Sequence, residues 1–130
     1  MILDTSALLA ILQQEAPASR LARTLVTAPT CALSAATLVE ASIVMQARFG
    51  ADGVRDLDLL LARLHAAVEP VTEEQALVAR RAYQQFGKGR HPAGLNYGDC
   101  FSYALAAVTG QLLLCTGADF PQTDIQVAAY

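Results

Sequence analysis

Four acidic residues sit where a lone carboxylate is expensive: Asp4, Glu40, Asp99 and Asp119. Asp4 closes the apolar run Met1-Ile2-Leu3. Asp99 is the only charged residue from Asn96 through Thr109. Glu40 lies among Leu38, Val39, Ala41, Ile43, Val44 and Met45, with no opposite charge on its segment before Arg48. Asp119 comes shortly after the apolar run Leu112 to Cys115. Each has an ordinary local explanation. An acid after a strand can cap the next helix, and an acid in a first turn gains about 0.3–1 kcal/mol from the helix dipole. Burial next to apolar residues without a partner, however, costs several kcal/mol. Four such carboxylates converging without matching bases would also repel one another. The usual resolution is a hard divalent cation, Mg2+ or Mn2+, held by oxygen ligands and water. Such a site can activate water and steady the leaving oxygen of a phosphodiester. No His/Cys cluster with zinc spacing competes.

Convergence requires particular elements. Met1–Leu3 reads as a strand, with Thr5 or Ser6 capping a helix from Ala7 to Gln13. Pro17 opens a second helix, to about Thr27, with Leu21, Leu25 and Val26 on its apolar side. Pro29 to Leu33 is a second strand. Ser34 caps a third helix, to about Phe49, which is apolar nearly all round and so should be largely buried. Gly50 to Gly53 is a turn, and Val54 to Ala66 an amphipathic helix with leucines at 57, 60, 61 and 64. Ala67 to Val71 is a third strand, and Thr72 caps a helix running to about Phe86. Gly87 to Gly94 is a loop carrying Lys88, Arg90 and His91, whose two stronger cations suit phosphates. Asn96 caps a helix from Tyr97 to about Val108, followed by the strand Leu112–Cys115 and a possible last strand from Ile125 to Val127. Short apolar strands alternating with helices predict an α/β fold with a parallel sheet covered on both faces. Right-handed crossovers then place every strand's carboxyl end on one edge. Asp4 and Asp119 belong to that edge, and the helices of Glu40 and Asp99 begin at it or cross it.

The chain has 130 residues, enough for one domain over residues 1–130 and too few for two. Charged residues make up 16% against a usual share of about 25%, which predicts that a partner covers part of the surface. The formal net charge of −3 excludes a strongly basic nucleic-acid platform. That count conceals a site effect: with the four acids counted into a metal centre, the rest of the chain stands at +1. Cys31, Cys100 and Cys115 are odd in number and lack a C-x-x-C pair, so they read as buried free thiols in a reducing compartment. The N-terminus has no signal-peptide pattern. The uncharged stretch Cys100–Ala118 is broken by Thr109-Gly110-Gln111 into pieces too short to span a membrane. These features predict a cytoplasmic protein.

Four segments together carry a resemblance: Met1-Ile2-Leu3-Asp4-Thr5-Ser6-Ala7, Ser34 to Glu40 within an apolar helix, Asn96-Tyr97-Gly98-Asp99, and Thr116-Gly117-Ala118-Asp119-Phe120. In this order and spacing the chain resembles a PIN domain, and more closely the VapC ribonuclease toxins of bacterial toxin–antitoxin pairs. The resemblance implies a three-layer α/β/α fold with a short parallel sheet flanked by helices. It implies that Asp4, Glu40, Asp99 and Asp119 are the catalytic, metal-binding acids. It further implies that Ser6 supports Asp4 by a hydrogen bond and that Thr116 lies near the site. The chain departs from many relatives at Ala118, where they carry a polar residue. A homodimer, a VapB-type antitoxin that blocks the site, and a heterotetramer or larger assembly of the two are also implied.

The function expected is Mg2+- or Mn2+-dependent endoribonuclease activity, with Lys88 and Arg90 as candidate RNA contacts. Other readings are a housekeeping PIN nuclease for RNA maturation, a catalytically idle binding module, and a receiver-like signalling domain. The last would want an adjacent acid pair after the first strand and a lysine near the last strand, whereas this chain has Asp4-Thr5 and no lysine after Lys88. A short upstream gene overlapping this one would favour the toxin.

Overall fold

A computed structural model describes all residues 1–130. The elements run β1 (Ile2–Leu3), α1 (Thr5–Leu12), α2 (Ala18–Thr27), β2 (Ala32–Ser34), α3 (Ala35–Arg63), β3 (Ala67–Glu69), α4 (Glu73–Phe86), α5 (Tyr97–Thr109) and β4 (Leu113–Leu114), with a 3-10 turn at Phe120–Gln122. The strands form one sheet in the order β3-β2-β1-β4, and every pairing is parallel. Expectation and structure agree on the alternation of strands and helices and on the three-layer architecture. The possible strand at Ile125–Val127 reduces to one bridge between Val127 and Leu113.

The two-residue period of a strand sorts the core into two halves. Ile2 and Leu113 are register-paired and join one cluster with Ala79, Phe86, Leu95 and Leu105, under α4 and α5. Leu3 and Leu114 are paired next to them and point the other way, into a cluster with Leu8, Leu21, Leu33, Leu57 and Leu61. The leucine-rich segment therefore serves the protein's own core: Leu57 and Leu61 are buried, and Leu60 and Leu64 pack against that cluster. Val26, expected on the apolar side of α2, is exposed instead.

Helix starts follow local hydrogen bonding. Ser34 Oγ accepts from the Ala36 amide, and Thr72 Oγ1 from that of Gln75. The first helix differs from expectation. It begins at Thr5, and Asp4 rather than Thr5 or Ser6 is its cap. The expected turn at Gly50 appears as a kink inside one long hydrogen-bonded helix, with Gly50 at φ 64° and ψ −153°, a conformation only glycine adopts cheaply. The first arm of α3 is not largely buried. Val39 is 57% and Ile43 63% exposed, because no element of this chain covers that side. Its apolar residues form a surface stripe beside Glu40, and Tyr97 at the start of α5 adds to it at 80% exposure. No helix is long and apolar enough to cross a membrane.

Candidate active site

Asp4 follows β1 directly and is 3% exposed. Its Oδ2 accepts from the Ser6 amide at 2.9 Å and from Ser6 Oγ at 2.6 Å. Ser6 Oγ in turn accepts from the Thr116 amide at 3.0 Å, which ties the end of β4 to the Asp4 turn. Ser6 and Thr116 are thus next to Asp4, and the Thr116 contribution is a backbone donor. Capping and site-building are one interaction here, since the bond that starts α1 also orients Asp4.

Glu40 is half-buried on α3, and its Oε2 accepts a short hydrogen bond from Thr5 Oγ1. Thr5, buried and adjacent to Asp4, thus holds the Glu40 side chain, a contact the sequence did not disclose. Only its place beside Asp4 hinted at it. The Glu40 carboxylate lies directly against Gly98 in the first turn of α5, where a Cβ would overlap both carboxylate oxygens.

Asp99 closes a capping box. Its amide donates to Asn96 Oδ1 at 3.0 Å, and its Oδ2 accepts from the Asn96 amide at 2.8 Å. The capping explanation holds for this residue, and the same pair of bonds fixes the orientation of its carboxylate. Burial pushes its carboxyl up to about 6, against the lowering effect of the Asn96 amide, and the charges of Asp4, Glu40 and Asp119 push the same way. Asp119 stands at the head of the 3-10 turn, exposed and without a side-chain hydrogen bond. Asp99 therefore lies within electrostatic reach of the other three acids. Buried Cys115 senses three of them: desolvation first, then Asp4, Asp99 and Asp119, raise its thiol to about 12. All three cysteines are buried and free.

No base offsets this charge. The sole salt bridge joins Arg55 to Asp52 on the surface, and Arg48 donates to Gln13 rather than to Glu40. Asp4, Glu40 and Asp99 share a further property. Each has one carboxylate oxygen held by a protein donor and the other free. That is the arrangement of a ligating carboxylate fixed by an outer shell of hydrogen bonds. No three Asp, Glu, His or Cys side chains stand close enough to close a ligand shell unaided. A small hard cation does not require one: Mg2+ commonly keeps several waters and takes one or two carboxylates, with phosphate oxygens completing the sphere. The donor set fits such an ion.

Lys88 lies between α4 and α5, where its side chain lines an apolar groove with Arg80, Tyr83, Asn96 and Tyr97. Arg90 is exposed in the following turn, and His91 is half-buried, its Nδ1 accepting from the Ala93 amide. Lys88 thus stands beside the Asn96 cap, whereas Arg90 projects to solvent.

The family model for the PIN domain matches residues 1–126. A protein named Ribonuclease VapC, from Mycolicibacterium smegmatis, is 51% identical over 125 residues, covering 96% of this chain and 97% of that one. Among solved structures, Mycobacterium tuberculosis VapC20, described as a sarcin–ricin loop cleaving toxin, superposes with a TM-score of 0.78 at 19% identity, over 95% of each chain. VapBC2 from Rickettsia felis, bound to a DNA fragment from its promoter, gives a TM-score of 0.71 at 17% identity, over 97% of this chain and 94% of that one.

Proposed function

This chain belongs to the PIN domain family, in its VapC branch, and from that premise we propose that it is a divalent-metal-dependent endoribonuclease, the toxin of a toxin–antitoxin pair. The carrying observation is the trio of unpaired carboxylates, each anchored through one oxygen and open at the other. Asp4, Glu40 and Asp99 would hold Mg2+ or Mn2+, with Asp119 contributing from the exposed side. A bound ion would supply Lewis acidity for activating water and for steadying the leaving oxygen of the phosphodiester. The protein's own residues do the positioning. Ser6 fixes the Asp4 carboxylate and is itself held by the Thr116 amide. Thr5 fixes Glu40, and Asn96 fixes Asp99. The cap and the buried strand ends keep these groups on rigid elements rather than loops. In metal-free protein the same four charges repel an RNA phosphate, so the ion is needed for substrate approach as well as chemistry.

The test is cleavage of single-stranded RNA and of duplex DNA by purified protein, with Mg2+ or Mn2+ and with EDTA. Cleavage of RNA that requires the metal is expected. Cleavage that survives EDTA would overturn the proposal.

Lys88 and Arg90 are proposed to contact RNA phosphates, supported by their charge and by the position of Lys88 next to Asn96. Replacing both by Ala should weaken RNA binding and flatten its salt dependence, since each phosphate contact releases roughly one counterion. An unchanged salt slope would return these residues to plain solvated charges.

A VapB-type antitoxin and a second copy of this chain are proposed partners. The antitoxin draws support from the VapBC2 likeness. The surface available is the uncovered stripe of Val39, Ile43 and Tyr97 beside the site, since Leu57 and Leu61 of the leucine-rich segment are taken up by the core. Sedimentation at micromolar concentration should show about twice 13.8 kDa. A clean monomer would count against the dimer. Cytoplasmic location is proposed with this function, because its RNA substrates and antitoxin are made there.

A further inference from the structure

Beneath the carboxylates, Thr37 on α3 and Ser102 on α5 share a hydrogen bond of 3.1 Å, each 1% exposed. A helical Ser or Thr hydroxyl ordinarily bonds back to a carbonyl of the preceding turn. Ser42 does so to Leu38, and Thr109 to Leu105. Ser102 instead reaches across to the other helix, and neither hydroxyl has any other side-chain hydrogen bond. The placement matters. Thr37 precedes Glu40 by one helical turn, and Ser102 follows Asp99 by one turn, so each lies on the same helix face as its acid. The Glu40–Gly98 contact joins the same two helices about one turn further along. The two contacts run in opposite chain directions, 37 to 40 against 102 to 98, as locally antiparallel helices require. One is a steric contact and the other a directional bond.

We propose that Thr37 and Ser102 are positioning residues that lock the register of α3 against α5 and thereby set the separation of the Glu40 and Asp99 carboxylates. Apolar packing alone tolerates small sliding of one helix on another, whereas a buried hydroxyl pair has one satisfied geometry and a cost for any other. Sliding of about an ångström at a metal-bearing site is enough to lower turnover by about a hundredfold. The inference rests on the nuclease reading given above, since it takes the two acids to act together.

The experiment compares the parent with Thr37→Val/Ser102→Ala and with Thr37→Ser. The double variant removes both polar partners while nearly keeping volume, so its folding stability should stay close to the parent's. Two readouts separate positioning from folding. The Mn2+ concentration for half-maximal thermal stabilisation should rise several-fold. The kcat for an RNA oligonucleotide should fall about ten- to hundredfold with KM little changed. Thr37→Ser, which keeps the hydroxyl, should restore both. Should the double variant not fold, Ser102→Cys replaces the hydroxyl by a weak donor of similar shape and carries the same comparison. A folded variant with the parent's Mn2+ midpoint and kcat would overturn the proposal. A parent protein that cleaves no RNA would instead overturn the functional reading, leaving the Mn2+ midpoints to decide this one.

Discussion

Asp99→Asn should abolish most RNA cleavage while leaving the metal-free protein at least as stable as the parent. The substitution keeps an oxygen that accepts from the Asn96 amide and leaves the backbone amide of residue 99 donating to Asn96 Oδ1, so both bonds of the capping box survive and the helix start is preserved. What it removes is charge. In the parent, burial and then the neighbouring acids hold this carboxyl at about 6, above the ordinary 3.8. A group whose folded value is raised contributes stability that is fully present below its unfolded value and lost as pH rises through the folded value. The metal-free parent should therefore lose stability between about pH 4 and pH 6 through this group, and the variant should not. Asp99 is only half-buried, so solvent screening reduces the gain at neutral pH to about 1 kcal/mol. An acid that served the helix dipole alone would behave oppositely, costing up to about 1 kcal/mol and leaving activity intact. Loss of an outer-shell partner already costs about 10- to 100-fold in metal sites, so loss of a ligand should exceed that. Added Mg2+ should stabilise the variant less than the parent, by mass action. The measurement is thermal unfolding across pH with EDTA and with Mg2+, beside a cleavage assay. A metal-free variant clearly less stable than the parent, yet with full Mg2+ response and activity, would sink the assignment of Asp99.

Gly98→Ala should separate stability from activity more sharply still. Gly98 lies in the first turn of α5, and a methyl there would occupy the space now held by the Glu40 carboxylate. The obstructing atoms are the end of a flexible side chain, so the fold can accommodate the change by turning Glu40 aside. Its bond from Thr5 would be lost or lengthened. Helix propensity favours Ala over Gly by up to about 1 kcal/mol, which offsets the repacking. The metal-free variant should thus unfold near the parent temperature. Cleavage should fall by about a hundredfold, because one carboxylate is displaced from the position it shares with Asp4 and Asp99. Retention of the parent rate by a folded variant would show that Glu40 need not rest on α5 to act.

The sequence alone determined whatever depends on neighbours in the chain. Ser34, Thr72 and Asn96 were legible as helix caps, because a cap is a bond to an amide two or three residues away. The alternation of strands and helices, the sheet's parallel character and the chain positions of the four acids were legible for the same reason: hydrophobic period and turn residues act over short range. Even there Asp4 took the cap expected of Thr5 or Ser6, since a carboxylate accepting two donors outcompetes a hydroxyl. Tertiary structure decided the rest. Thr5 reaches Glu40 across 35 positions of sequence, and the Ser6 hydroxyl receives the Thr116 amide across 110. Gly98 admits the Glu40 carboxylate because two helices cross there, which no period in either helix announces. The same limit explains the misplaced apolar faces. Periodicity reports which side of a helix is apolar but not what covers it, so α3 exposes Val39 and Ile43 while Leu57 and Leu61 beyond Gly50 turn inward.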